Sequence, residues 1–369
     1  MTCRIASLVI ITLGMFASLG TPQSPNSPSP SYTVHIVGLR EAEISPDDRW
    51  MTALVLKAPK TVVPTVEVQV WDFRNAALVR NRELETAARV EPGEAEYVRY
   101  TRDGSLLAAY AGDGVIHILS ANDLQELRKI QLDSLSSAIA GLEISATAHV
   151  LAVRRVFGRG GDLRIYDLNN GRELRSWKLA SGAYELGLAW RSDGRLLAAA
   201  VSDSIPCTRF GGTIYLFDPA LEELAGRFRV SFLPGDLVFG TGNNLYIATS
   251  TCGGYFANWA PDLRIYDSTT GRQVGRIPGN KLGIRRSIAI SEDKKRLLAH
   301  ADREMTTFEG FEDTLKTSDE EWQVRELPTG KLSFTLPPGQ RYLMSTSGNF
   351  IVESLSNEVR ILSVPTRAN

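Results

Sequence analysis

Histidine and cysteine are scarce in this chain, with four of the first and three of the second among 369 residues. No two of His35, His117, His149 and His300 lie four residues apart, and none neighbours a cysteine, so no zinc pattern can be drawn. A nucleophile elbow, a phosphate-binding loop and a calcium-loop spacing are missing as well. These gaps argue against the motif-bearing hydrolases, nucleotide-binding proteins and zinc enzymes, and the expectation is no metal, no cofactor and no catalytic residue. An excess of either charge is missing too: 41 Lys and Arg stand against 42 Asp and Glu. Nothing in that balance attracts nucleic acid or an anionic membrane.

Long apolar runs are limited to one. Arg4 gives a short positive start, and Ala6 to Leu19 is almost uninterruptedly apolar and ends in small residues. Residues 1–20 therefore read as a secretory signal peptide, with an uncleaved membrane anchor as the alternative. Cys3 precedes the run, so it cannot be the acylated cysteine after a lipoprotein cleavage site. Residues 21–31 are rich in Pro and Ser and read as an extended linker. No later segment is long and apolar enough to span a bilayer. A periplasmic or extracellular location follows from the leader.

What is present in abundance is a phrase. Leu163-Arg164-Ile165-Tyr166-Asp167 is followed by four turn residues ending in Gly171, and Leu263-Arg264-Ile265-Tyr266-Asp267 likewise by four ending in Gly271. Weaker copies end at Asp72, Ser120, Asp218, Glu326 and Ser363, making seven. Each has an upstream companion, a polar cluster between two apolar runs. Examples are Ser45-Pro46-Asp47-Asp48, Thr101-Arg102-Asp103-Gly104, Arg191-Ser192-Asp193-Gly194 and Ser291-Glu292-Asp293-Lys294. Asp, Asn and Gly in such clusters signal hairpin turns, because they accept positive φ or bond their own backbone. Apolar and polar residues alternate in Val68-Gln69-Val70-Trp71, as in a half-exposed strand, whereas Leu196 to Val201 is apolar throughout.

Each unit of about fifty residues thus reads as four antiparallel strands that bury their faces only by stacking on neighbouring units. Radial repetition of such units describes an all-β, seven-bladed β-propeller over residues 32–369. The pattern resembles the WD-repeat family: Trp71-Asp72 is its dipeptide, with Tyr166-Asp167, Phe217-Asp218 and Tyr266-Asp267 as variants. The Gly-His pair of that family is absent from every copy, so the chain looks more like divergent bacterial secreted propellers of the same shape. The last copy stops at a third strand, Val359 to Leu362, while Tyr32 to Val37 is an orphan strand ahead of the first unit. The N-terminal strand is expected to complete the last blade and close the ring, as it does in WD-repeat propellers, removing two open edges.

Aligning the turn clusters places Glu43, Arg99 and Glu143 at one position of the innermost strand in blades one, two and three. Acid, base and acid would stand side by side near the channel. Either they form a ligand or ion site, or they form a salt-bridge set that fixes blade packing, and the mutual compensation of their charges favours packing. Gly158 to Gly161 has no helix after it and reads as a loop between strands, not an anion nest.

Loop lengths carry the functional reading. The connection between second and third strands is short in blades two and seven and long in blades four, five and six, at 202–212, 250–261 and 302–320. These stretches hold Arg209, Phe210, Tyr255, Phe256, Trp259, Phe308 and Phe311, with an acidic run through Glu309, Glu312, Asp313, Asp319, Glu320 and Glu321. Aromatics with a charged rim suit an interface, although they could instead fold back to cap their own loops. Cys207 and Cys252, the cysteines left once the leader is removed, fall in two of these loops and are expected to form a disulfide in an oxidising compartment. The expected function is a monomeric, non-catalytic interaction protein that binds a protein or peptide on this face. The alternative is a propeller enzyme of lactonase, quinoprotein or hydrolase type with substrate in the channel.

Overall fold

The computed structural model describes residues 30–57, 65–85, 96–132, 138–145, 147, 149–157, 160–179, 187–202, 211–220, 224–232, 234–249, 262–278, 283–303, 319–337, 341–355 and 357–364. The expected leader, most of the linker, the cysteines and the aromatic loop residues lie outside them.

Strand β1 (Pro30–His35) comes first and takes in the last two residues of the expected linker. Blade one is β2 (Leu39–Ile44), β3 (Met51–Lys57), β4 (Thr65–Asp72) and β5 (Ala77–Leu84). Blade two is β6 (Tyr97–Tyr100), β7 (Leu106–Tyr110), β8 (Val115–Ser120) and β9 (Glu126–Gln131). Blade three is β10 (Ala138–Ile144), β11 (Val150–Phe157), β12 (Gly160–Asp167) and β13 (Glu173–Leu179). Blade four is β14 (Leu188–Trp190), β15 (Leu197–Ser202), β16 (Gly212–Phe217) and β17 (Leu224–Val230). Blade five is β18 (Pro234–Phe239), β19 (Asn244–Thr249), β20 (Leu263–Asp267) and β21 (Arg272–Ile277). Blade six is β22 (Gly283–Ile290), β23 (Arg296–Arg303), β24 (Asp319–Glu326) and β25 (Lys331–Leu336). Blade seven is β26 (Arg341–Met344), β27 (Phe350–Ser354) and β28 (Glu358–Ser363), completed by β1, which pairs antiparallel with β28. The protein is a seven-bladed β-propeller closed by its N-terminal strand.

The two turn signals work as their residue types demand. In the first hairpin of every blade one residue takes positive φ: Asp48, Gly104, His149, Gly194, Gly242, Lys294 and Gly348. A hydroxyl at the start of the turn often satisfies the backbone, as where Thr101 Oγ1 accepts from Leu106 N at 2.9 Å and donates to Asp103 at 2.6 Å. His149 belongs to such a turn and not to a strand as expected. At the end of the third strand an Asp caps the next hairpin: Asp72 accepts from Arg74 N, Asp167 from Asn169 N, and Asp267 from Thr269 N and Thr270 N. Gly171 and Gly271 close those turns at positive φ, each donating to the Asp carbonyl at 2.8 Å.

A feature the sequence does not announce sits just beyond. In blades one to six the pairing of third and fourth strands slips by one residue, leaving Val79, Leu127, Leu174, Ala225, Val274 and Ser333 as bulges on the outer strand. Bulges twist an edge away from further pairing, which guards outer strands that would otherwise template aggregation.

The core lies between blades. One cluster joins blades three, four and five through Leu163, Ile165, Ala199, Ile214, Phe217 and Tyr266. The other clusters bridge one and two, two and three, five and six, six and seven, and seven and one. Aromatic pairs follow the same seams: Trp177 meets Phe217 at 4.8 Å and Phe228 stacks on Tyr266 at 5.4 Å. Tyr32 of β1 meets Phe73 at 5.5 Å, tying the closing strand to blade one.

Candidate functional site

The innermost strands bring the three expected channel residues together. Glu43, Arg99 and Glu143 pair with Thr52, Ala108 and Ala152 of the second strands, one level of the channel wall. Ala189, Val238, Ala289 and Leu343 hold that level in blades four to seven. At this level the charge is therefore confined to one sector of the ring. Arg99 lies 3.8 Å from Glu43 and 3.8 Å from Glu143.

Its closest partner is a residue the sequence reading passed over. Arg99 Nη1 donates to Glu41 Oε1 at 3.2 Å, and Arg341 of blade seven donates to both oxygens of the same carboxylate, at 3.2 Å from Nη2 and more closely from Nη1. Glu41 is 1% accessible and thus a buried carboxylate held between two guanidinium groups. The alternation of a strand puts Glu41 and Glu43 on one face, so both point where Arg99 can reach. Asp236 on β18 is a second omission; its carboxylate accepts from Leu237 N at 3.0 Å and Ile288 N at 3.3 Å.

Burial sets the electrostatics. It pushes Glu43 up to about 8, against the pull of Arg99 and with help from Glu143 and Glu41. Glu143 is pushed up to about 7 by burial, again opposed by Arg99, and Asp236 to about 6. Arg99 stays firmly charged, because three glutamates outweigh the burial that would depress it. Glu143 remains 39% accessible and Glu43 25%, so both carboxyls are enclosed by protein yet touch the channel. Among the described residues no hydrogen bond reaches Oε2 of Glu43. Chemically, the cluster can bind its own charges tightly and hold protons near neutrality on two carboxyls.

Among the described residues no group of His, Cys, Asp and Glu is arranged to hold a metal, and no helix is long and apolar enough to cross a membrane. His117 is buried between Glu126 at 3.3 Å and Asp113 at 3.8 Å in the seam of blades one and two. Gly160 and Gly161, expected in a loop, belong to β12 and pair with Phe157 and Val156.

The interface candidates Arg209, Phe210, Tyr255, Phe256, Trp259, Phe308 and Phe311, and the pair Cys207 and Cys252, lie outside the described residues. The strands around them are described. β15 ends at Ser202 and β16 begins at Gly212, β19 and β20 are separated by residues 250–262, and β23 and β24 by residues 304–318. Asp319, Glu320 and Glu321, expected in the acidic loop, pair in β24 with Arg303, Asp302 and Ala301.

No protein-family model and no curated protein matches this chain. Among solved structures it is similar to a WD40 propeller chain in the crystal structure of the mitotic checkpoint complex. The TM-score is 0.62 at 16% identity, over 98% of this chain and 99% of that one. At that identity the likeness concerns the fold.

Proposed function

We propose that the chain is a non-catalytic interaction protein acting in the periplasm or outside the cell, where it docks a protein or peptide on one face of the ring. The observation that carries this reading is the placement of the long connections. Residues 203–211, 250–262 and 304–318 all join a second strand to a third, in three successive blades, and so share a face. β1 runs antiparallel to β28, so Pro30 and Ser363 both stand at the opposite face. Propellers hold their strands uniform and vary such loops, and binding groups gather on loops held by a rigid frame.

In this reading Tyr255, Phe256 and Trp259 form the centre of the surface, flanked by Arg209, Phe210, Phe308 and Phe311. A bond between Cys207 and Cys252 joins the loops of blades four and five and lowers the ordering cost of binding. Affinity capture from the native envelope tests it with wild type against Tyr255→Ala/Trp259→Ala. Loss of the captured partner in the double variant supports the surface; equal capture by both removes it.

A second reading, an enzyme with substrate in the channel, is favoured by one observation. Glu43 and Glu143, pushed up to about 8 and about 7, would be suited to proton transfer near neutrality. Bound metal or a quinone absorbance in the purified protein, with turnover lost in Glu143→Gln, would move the assignment to it.

A further inference from the structure

The hairpin turns that follow the innermost strands ring one mouth of the channel, and they are stitched to one another. Thr147 Oγ1 of blade three donates to Asp193 O of blade four at 2.7 Å, and Arg191 Nη1 reaches Asn243 of blade five at 3.1 Å. Lys294 Nζ of blade six donates to Phe239 O of blade five at 3.1 Å, and Glu292 N to Thr346 O of blade seven at 2.7 Å. Asn349 of blade seven donates to Asp48 of blade one at 3.2 Å. All of these link neighbours.

One contact does not. Arg102, in the turn after β6, forms a close ion pair through Nη2 with Glu292, in the turn after β22. Blades two and six are as far apart as two blades of seven can be, with blades seven and one between them on the shorter way round. A bond between their inner turns has to cross the mouth. The charge of Arg102 is also felt at Lys294, whose ammonium is depressed by burial first and by Arg102 second, so the guanidinium lies over the inner edge of blade six.

We propose that Arg102 and Glu292 form a strap across this mouth, closing the channel there. Both ends of the strap are solvent-exposed side chains on tight turns, so they can part without disturbing the blades. An exposed pair is weakened by salt, which makes the closure responsive to ionic strength. The strap stands apart from the docking proposal, since it concerns the opposite mouth and needs no partner.

A thiol placed in the channel reads the strap directly. Ala289 is small, half-buried and at the level of Glu143, so Ala289→Cys puts a reporter on the wall. Labelling by a bulky polyethylene-glycol maleimide is followed by mass spectrometry on the peptide holding position 289, which separates it from Cys207 and Cys252. The rate should rise several-fold when Glu292→Ala or Arg102→Ala is added, and should rise with salt in the Ala289→Cys protein that keeps the pair. The exchanged pair, Arg102→Glu with Glu292→Arg, should return it to the slow value. Equal rates with and without the pair would overturn the strap, and so would a fast rate that the exchanged pair does not slow.

Discussion

Arg99 reaches from blade two to bond the buried carboxylate of Glu41 in blade one at 3.2 Å, and Arg341 holds that carboxylate from blade seven. One side chain therefore pins three consecutive blades at the place where the ring closes.

Glu41 and Glu43 should respond in different ways to the same change. Glu41→Gln leaves two guanidinium groups beside a neutral amide, and should cost about 3 kcal/mol, as breaking a buried pair does. Arg99→Ala should cost on the order of 3 kcal/mol for the converse reason. Glu43→Gln should be close to neutral, since burial already keeps that carboxyl protonated at neutral pH. Urea unfolding of the three variants measures the contrast; equal losses at 41 and 43 would refute it.

The pH dependence follows from the same groups. A carboxyl whose pKa is raised by folding takes up a proton as the chain folds, so its contribution is full at low pH and lost as pH rises. The window runs from 4.5 to about 8 for Glu43, from 4.5 to about 7 for Glu143, and from 3.8 to about 6 for Asp236. Stability should fall across that range, and Glu43→Gln/Glu143→Gln should flatten its upper part. Asp162 acts in the other direction: bonds from Arg155 and Arg164 outweigh its burial and hold it low, so its contribution is lost in acid. Unfolding midpoints over this range, wild type against the double variant, decide the matter.

Cys207 and Cys252 should titrate as a disulfide. The unfolded, unreduced protein without its leader should show no reactive thiol, and reduction should lower stability by about 4 kcal/mol on the chain-entropy estimate. Two free thiols per chain would dispose of the bond.

Removing β1 should change the state of association. A chain beginning at Leu39 leaves β28 with an open edge, an available template for another strand. Light scattering should show this form associating under conditions where the full ring stays monomeric.

Much of this architecture was legible because the turns are written in residues with few conformational alternatives. Asp47, Gly104, Asp193 and Gly348 mark hairpins, and the alternation in Val68 to Trp71 marks a third strand. Counting back from those turns brings Glu43, Arg99 and Glu143 into line, and contacts of 3.8 Å join Arg99 to both carboxyls. The level above was hidden for a physical reason. Pairing slips between Pro234 and Leu237, so a fixed count loses Asp236, whereas Glu41 stays in register with Leu54 and is set apart from the compared position by two residues. Arg341 stands at the level of Glu41, but blades seven and one are 300 residues apart in sequence and become neighbours only when the ring closes. The outer bulges were invisible because Val79, Leu127 and Val274 are ordinary strand residues, and the slip is set by the turn before them.

The pairing of β1 with β28 also imposes an order on the making of the molecule. The strand that leaves the ribosome near the beginning has its partner at Glu358–Ser363, near the end. Six blades can assemble from local hairpins while the chain is still growing, but the seventh has to wait for its last strand. Until β28 has formed, β1 has no partner and β27 shows an open edge, so ring closure follows the six local blades and is the stage at which chaperones would have most to protect.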